Sequence, residues 1–250
     1  MNTIIGFIIT CLALRVCGLP ISQIVGGRDV TNGMYPYQVS LRNSKNNRHF
    51  CGGAIISQSF IITAAHCLNN LNDPSDVLVG IGSNYLNALT VYQVANFIQH
   101  VDYDSLLRIN DIGLIRVMEK IKFNKNIQPI ALSSTDDNYE GRNLVVTGWG
   151  RLESGGSNPN HLQQIIVKGY SQKKCNRHYE NTILKTQICT RTVQGEGMCN
   201  GDSGGPLVAD NVLVGLVSFG MLPCGSGFPD VFTRVFYYKE WINFHIQRFE

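Results

Sequence analysis

The sequence predicts an all-β protein, and three observations carry that expectation. Short runs rich in β-branched and aromatic residues recur along the chain, turn-forming Gly, Asn, Asp and Pro separate them, and only the C-terminal tail has helical periodicity. With 250 residues, 44% of them hydrophobic, the chain can bury a substantial core as one large domain or two small ones.

Strand-like runs fall at residues 37–41, 54–56, 60–64, 76–81, 91–98 and 111–117, then at 143–148, 163–169, 187–190, 206–208, 212–219 and 231–235. A chain of this kind closes its sheets or packs them face to face. No internal repeat divides it, and the expected seam lies near residues 126–134. In the tail, Tyr238, Trp241, Ile242 and Ile246 recur at three-to-four-residue spacing, predicting a helix at about 237–248 with its apolar face on the second half of the molecule. Residues 43–48 and 153–160 read as polar surface loops, and no Asn-x-Ser/Thr glycosylation signal occurs.

Residues 1–14 carry a long apolar run with small residues behind it near Cys17 and Gly18, which reads as a signal peptide over residues 1–18 and predicts a secreted, extracellular product. The run is too short for a membrane span, and no other segment reaches the ~18 apolar residues a span needs. Net charge is +3 with no run of Lys or Arg, which argues against nucleic acid or an anionic membrane as partner. Cys11 and Cys17 fall in the leader, leaving Cys51, Cys67, Cys175, Cys189, Cys199 and Cys224. An even number fits an oxidising destination, although six cysteines allow fifteen pairings. Zinc is the weaker reading, because no Cys-x-x-Cys or His-x-x-x-His spacing occurs.

Two motifs carry chemistry. Thr63-Ala64-Ala65-His66-Cys67 sets a histidine beside a cysteine, and Gly201-Asp202-Ser203-Gly204-Gly205-Pro206 sets a serine on a glycine-rich turn. A serine hydroxyl barely ionises near neutral pH and attacks only when a base such as imidazole takes its proton. The imidazole in turn needs a carboxylate that selects its tautomer and stabilises the imidazolium. Alone, a Ser-Gly-Gly is a turn and a histidine is a surface or core side chain; found together in one chain, they point to nucleophilic catalysis.

At these residues the chain resembles the chymotrypsin-like (trypsin-family) serine endopeptidases, invertebrate chymotrypsins in particular, from Ile24 to about the C-terminus. The resemblance makes Asp111, in Asn110-Asp111-Ile112-Gly113-Leu114-Ile115, the third member, with Asp102 and Asp104 left as solvated loop acids. It implies two packed six-stranded antiparallel β-barrels with a C-terminal α-helix: a peptidase domain over 24–250, a first barrel over about 24–130 and a second over about 131–236. It also implies disulfides joining Cys51 to Cys67, Cys175 to Cys189 and Cys199 to Cys224.

In this family a quartet like Ile24-Val25-Gly26-Gly27 opens the mature enzyme. Residues 19–23 would then be a short propeptide, with the freed Ile24 amine paired to Asp202. Gln23 departs from the Arg or Lys that many relatives carry before the cut. The amides of Gly201 and Ser203 would form the oxyanion hole, and Ser218-Phe219-Gly220 would bind substrate as an added strand. Gly197 falls at the base of the specificity pocket, Met198 and Asn200 on its wall and rim, and Gly220 at its entrance. This implies cleavage after Tyr, Phe, Leu or Met. Asp230 stands where most relatives have glycine, and opens the alternative of broad or collagen-cleaving specificity that also accepts basic residues. An inert binding module is the reading from another class; such proteins usually lack a triad member, and this chain has all three. The expected partners are protein or peptide substrates, an activating protease and protein protease inhibitors. No metal or cofactor is expected, since residues 79–89 supply few hard oxygen ligands for calcium, and a monomer is the default.

Overall fold

The computed structural model describes residues 24–249, so the leader and propeptide expectations lie outside the described residues. A first barrel is built from β2 (Gln38–Asn43), β3 (His49–Ile55), β4 (Phe60–Thr63), β5 (Val77–Ile81), β6 (Thr90–Gln99) and β7 (Gly113–Val117). It closes in the order β2-β3-β4-β7-β6-β5, with every adjacent pair antiparallel. A second barrel runs through β9 (Asn143–Gly148), β10 (Gln163–Tyr170), β11 (Gln187–Arg191), β12 (Pro206–Ala209), β13 (Val212–Phe219) and β14 (Asp230–Arg234), closing where β9 pairs with both β10 and β12.

Alternation explains why these runs became strands. In β2, Val39 and Leu41 point into the first core with Ile55, Val79 and Ile115, while Gln38, Ser40 and Arg42 point the other way. Leu144, Val146, Val167, Ile188, Leu207 and Phe232 fill the second core in the same manner. A third apolar cluster, including Phe60, Ile62 and Leu114 from the first barrel and Leu213, Leu216 and Val235 from the second, seals the barrels together.

Three elements escaped the sequence reading. β1 (Arg28–Asp29) pairs with β10, and β8 (Ala131–Leu132) pairs in parallel with β13; two-residue strands have too few side chains for a period to register. The tail was expected to hold the sole helix, yet α1 (Gln172–His178) also forms. Its sequence QKKCNRH has no apolar period. It is specified instead by Ser171, whose hydroxyl accepts from the Lys174 amide, and by the Cys175–Cys189 disulfide that ties it to β11. The other disulfides are Cys51–Cys67 and Cys199–Cys224, and each closed loop of this length stabilises by about 3 kcal/mol.

The tail helix α2 (Lys239–Phe249) forms where its period predicts, and its apolar face packs at the junction, on the expected second barrel and on the first barrel as well. The Trp241 ring stands 5.3 Å from that of His100, which follows β6, and the Arg116 guanidinium of β7 lies over Phe249 at 5.8 Å. Periodicity identifies the apolar face of a helix, not the surface that covers it. Ile242, fully buried at the junction, is the keystone of that contact. Ile242→Ala should lower unfolding free energy by about 2–4 kcal/mol in equilibrium urea titration, because a cavity opens where both barrels meet.

Candidate active site

Asp111 enters at the start of β7 and is fully buried. A buried carboxylate is tolerated only with donors, and Asp111 has a full set. Its Oδ1 accepts from the His66 amide at 2.8 Å; its Oδ2 accepts from His66 Nδ1 at 2.7 Å and from the Ser218 hydroxyl at 2.5 Å. The Thr233 hydroxyl donates to its carbonyl at 2.7 Å. A carboxylate only accepts, so Nδ1 of His66 carries the proton and Nε2 presents its lone pair. His66 itself sits on a single 3₁₀ turn, Ala65–Cys67, whose flanking residues are buried and whose Cys67 is bonded to Cys51. The disulfide also removes both thiols beside His66 from any metal chemistry.

His66 and Ser203 line one cleft of about 310 Å³, walled further by Met198, Asn200, Phe219 and Gly220. Among the described residues no hydrogen bond joins His66 Nε2 to the Ser203 hydroxyl, a contact that many enzymes tighten only as substrate arrives. The serine loop is shaped by short turns: the Asp202 amide donates to the Cys199 carbonyl at 3.0 Å and the Gly205 amide to the Asp202 carbonyl at 2.9 Å. Gly201 has φ 103, and a Cβ there would meet Asn158 Nδ2 at 2.6 Å, so only glycine fits. The Gly52 amide of β3 donates to the Ser203 carbonyl at 2.7 Å, pinning the loop to the first barrel.

Asp202 points away from the cleft and is fully buried. Its carboxylate accepts from the Gly150 amide at 2.8 Å and the Cys199 amide at 3.0 Å, in space left by Gly150, where any Cβ would stand 2.2 Å from it. Burial pushes its carboxyl up to about 6 against the pull of those two donors. Ile24 is likewise fully buried, packed in the second core with Met198 and Val217. Among the described residues no cation pairs with Asp202.

Asp230, 7% exposed, stands behind the cleft between Gly197 and Gly220. A Cβ at Gly197 would lie 2.9 Å from its Oδ2, and one at Gly220 2.6 Å from its Oδ1. Burial pushes this carboxyl up to about 7, the Met198 amide donating at 3.1 Å opposes, and the Asp202 charge adds.

The trypsin family model matches residues 24–242. The chain belongs to the trypsin family. It is therefore a serine endopeptidase, acting on protein substrates. Chymotrypsin-2 of Vespa crabro is 47% identical over 222 residues, which cover 88% of this chain and 98% of that one. Trypsin alpha of Drosophila erecta is 38% identical over 225 residues, 88% of this chain and 86% of that one. A solved structure of neuropsin, a serine protease expressed in the limbic system of mouse brain, superposes with a TM-score of 0.81 at 32% identity, covering 88% of this chain and 98% of that one. Among the endopeptidase's described residues no helix is long and apolar enough to cross a membrane.

Three residues around the site were not singled out by the sequence. Thr233 supports Asp111, Arg108 lines the cleft, and His49 props the serine loop. His49 Nε2 lies 2.9 Å from the Gly201 carbonyl and Nδ1 2.9 Å from the Ser40 hydroxyl. A carbonyl only accepts, so Nε2 carries a proton, and burial, which disfavours the charged form, keeps the ring neutral with Nδ1 accepting from Ser40. Nothing local marks His49, since its partner lies 152 positions away. Burial pushes its imidazole down to about 4, with the Gly201 bond opposing and Arg42 adding. A histidine depressed in the folded state contributes stability that is fully present above its ordinary value and lost as pH falls through the window between about 6.5 and about 4. Relative to His49→Gln, whose amide can still donate to Gly201, the native protein should lose about 3 kcal/mol across that window in urea titrations.

Proposed function

We propose that this endopeptidase is a secreted enzyme, made as an inactive precursor, that cleaves peptide bonds through an acyl-enzyme on Ser203. The observation that carries the reading is the Asp111–His66 pair, buried on one side and open to the cleft of Ser203 on the other. His66 Nε2 takes the Ser203 proton as Oγ bonds to the substrate carbonyl carbon. The same nitrogen then hands the proton to the leaving amine as the C–N bond breaks. Water enters by the same route and releases the acid. Asp111 holds the tautomer and stabilises the imidazolium. The developing oxyanion is met by the amides of Gly201 and Ser203; among the described residues, neither is spent on a protein acceptor.

Cleavage between Gln23 and Ile24 would create an ammonium beside the second core, and Asp202 is the buried acid suited to receive it. That pairing compensates a carboxylate otherwise costly to bury. The activating protease must accept Gln23. Three disulfides and the apolar leader support secretion. Beginning at Ile24, the protein should be labelled on Ser203 by a fluorophosphonate, and His66→Ala should abolish labelling. A processed protein that stays unmodified would sink the mechanism, and full labelling of the uncut chain would sink the precursor reading.

The cleft favours Tyr, Phe, Leu and Met, since its walls are Met198 and Phe219 and Gly197 places no acid at the base. Asp230 supports a second reading, in which basic residues are also accepted. Below about pH 7 its carboxyl is mostly neutral and tolerates an aromatic ring; above that it is ionised and attracts Lys or Arg. The ratio of kcat/KM for Lys over Phe substrates should therefore rise through about pH 7. Asp230→Gly should flatten that rise and speed cleavage after Phe and Tyr. A ratio independent of pH in the native enzyme would leave apolar preference alone.

A further inference from the structure

We propose that Arg108 makes this enzyme select substrates carrying Asp or Glu immediately on the amino side of the residue that fills the primary pocket. The inference rests on the reading of Ser203 as nucleophile and of Ser218-Phe219-Gly220 as the strand that receives substrate. Arg108 lines the same cleft as His66 and Ser203 and is the one permanent cation among the residues that wall it. It is half-buried, and among the described residues no carboxylate lies within ion-pair distance of it.

The nearby acids are already occupied. Asp111 is buried and spent on His66 and Ser218. Asp104 caps its own loop, accepting from the Leu106 and Leu107 amides at 2.8 and 2.9 Å. Asp102 is exposed, bonds through its backbone to Asn110 and His100, and its carboxylate makes no ion pair with Arg108.

The arginine is also held in place. Its Nη1 donates to the Tyr103 hydroxyl at 3.0 Å, its carbonyl accepts from Gln187 Nε2 at 3.2 Å, and the Asp104 amide closes the loop on the Ile109 carbonyl at 3.0 Å. A guanidinium has five N–H donors, so one bond to a phenol leaves the fork free for a carboxylate.

Geometry selects the position. A substrate added as an antiparallel strand turns successive side chains to opposite faces. When one enters the pocket between Met198 and Gly220, its predecessor turns away from that pocket, and we assign it to His66 and Arg108, which line the same cleft. Phe219, Met221 and Leu222, which also line the cleft, are apolar and offer no competing charge.

The test uses the processed enzyme and three synthetic peptides that share Tyr at the cleaved bond and carry Glu, Gln or Lys just before it. Wild-type kcat/KM should favour Glu over Gln by about fivefold, the scale of a partly exposed ion pair. It should disfavour Lys, and the preference should shrink in roughly 1 M salt. Within Arg108→Gln the Glu-to-Gln ratio should fall to about one, and within Arg108→Glu the order of Glu and Lys should reverse. Comparing ratios inside each variant removes any general loss of activity or folding. A wild-type ratio of one or below, or a ratio unchanged in Arg108→Gln, overturns the proposal while leaving the mechanism standing. Failure of the processed wild type to cut any of the three overturns both.

Discussion

A single buried carboxylate holds the site together. Asp111 belongs to the first barrel, yet the Ser218 hydroxyl that donates to its carboxylate comes from β13 of the second, and the Thr233 hydroxyl that donates to its carbonyl comes from β14. A negative charge removed from water is costly unless donors surround it, so the barrels must dock in one register for the charge to be satisfied. The apolar cluster at the junction drives association, being non-directional, and the hydrogen bonds around Asp111 choose the alignment. The same donors that make burial affordable also aim His66 at the cleft.

Around that anchor the structure sets further ionisable groups in unfavourable surroundings. Asp202, within the serine loop, and Asp230, between Gly197 and Gly220, are both raised by burial. His49 is lowered by it and props the Gly201 carbonyl from behind. Perturbed groups concentrated about one cleft are the signature of a site whose stability has been traded for function. Glycine at 150, 197, 201 and 220 makes the trade feasible, because side chains there would collide with Asp202, Asp230 or Asn158.

The cleft combines two kinds of chemistry. Its lining includes apolar side chains and the C-terminal end of β13, suited to receive an extended chain through backbone hydrogen bonds. His66 and Arg108 line the same cleft, the first as the proposed proton carrier and the second as a fixed charge. The proposed reaction and the proposed selectivity thus share one cleft, lined by residues from both barrels.

The twelve barrel strands were legible because alternation of Val, Ile, Leu and Phe with polar residues is a local property, and His66, Ser203 and the cysteines stood out because their immediate neighbours are informative. α1 was not legible, since a disulfide and a serine cap form it without apolar periodicity, nor was the first barrel's share of the surface under α2, because amphipathicity does not name a partner. Sequence alone therefore determined the strand-rich class, the two chemical motifs and the family they resemble. Tertiary structure alone decided which distant groups meet: Ser218 and Thr233 on Asp111, His49 behind Gly201, Asp230 between two glycines, and Arg108 in the cleft. The physical reason is range. Backbone propensity and side-chain period act over a few residues, whereas the burial and hydrogen bonding that set a site's charges depend on contacts made only once the barrels have closed.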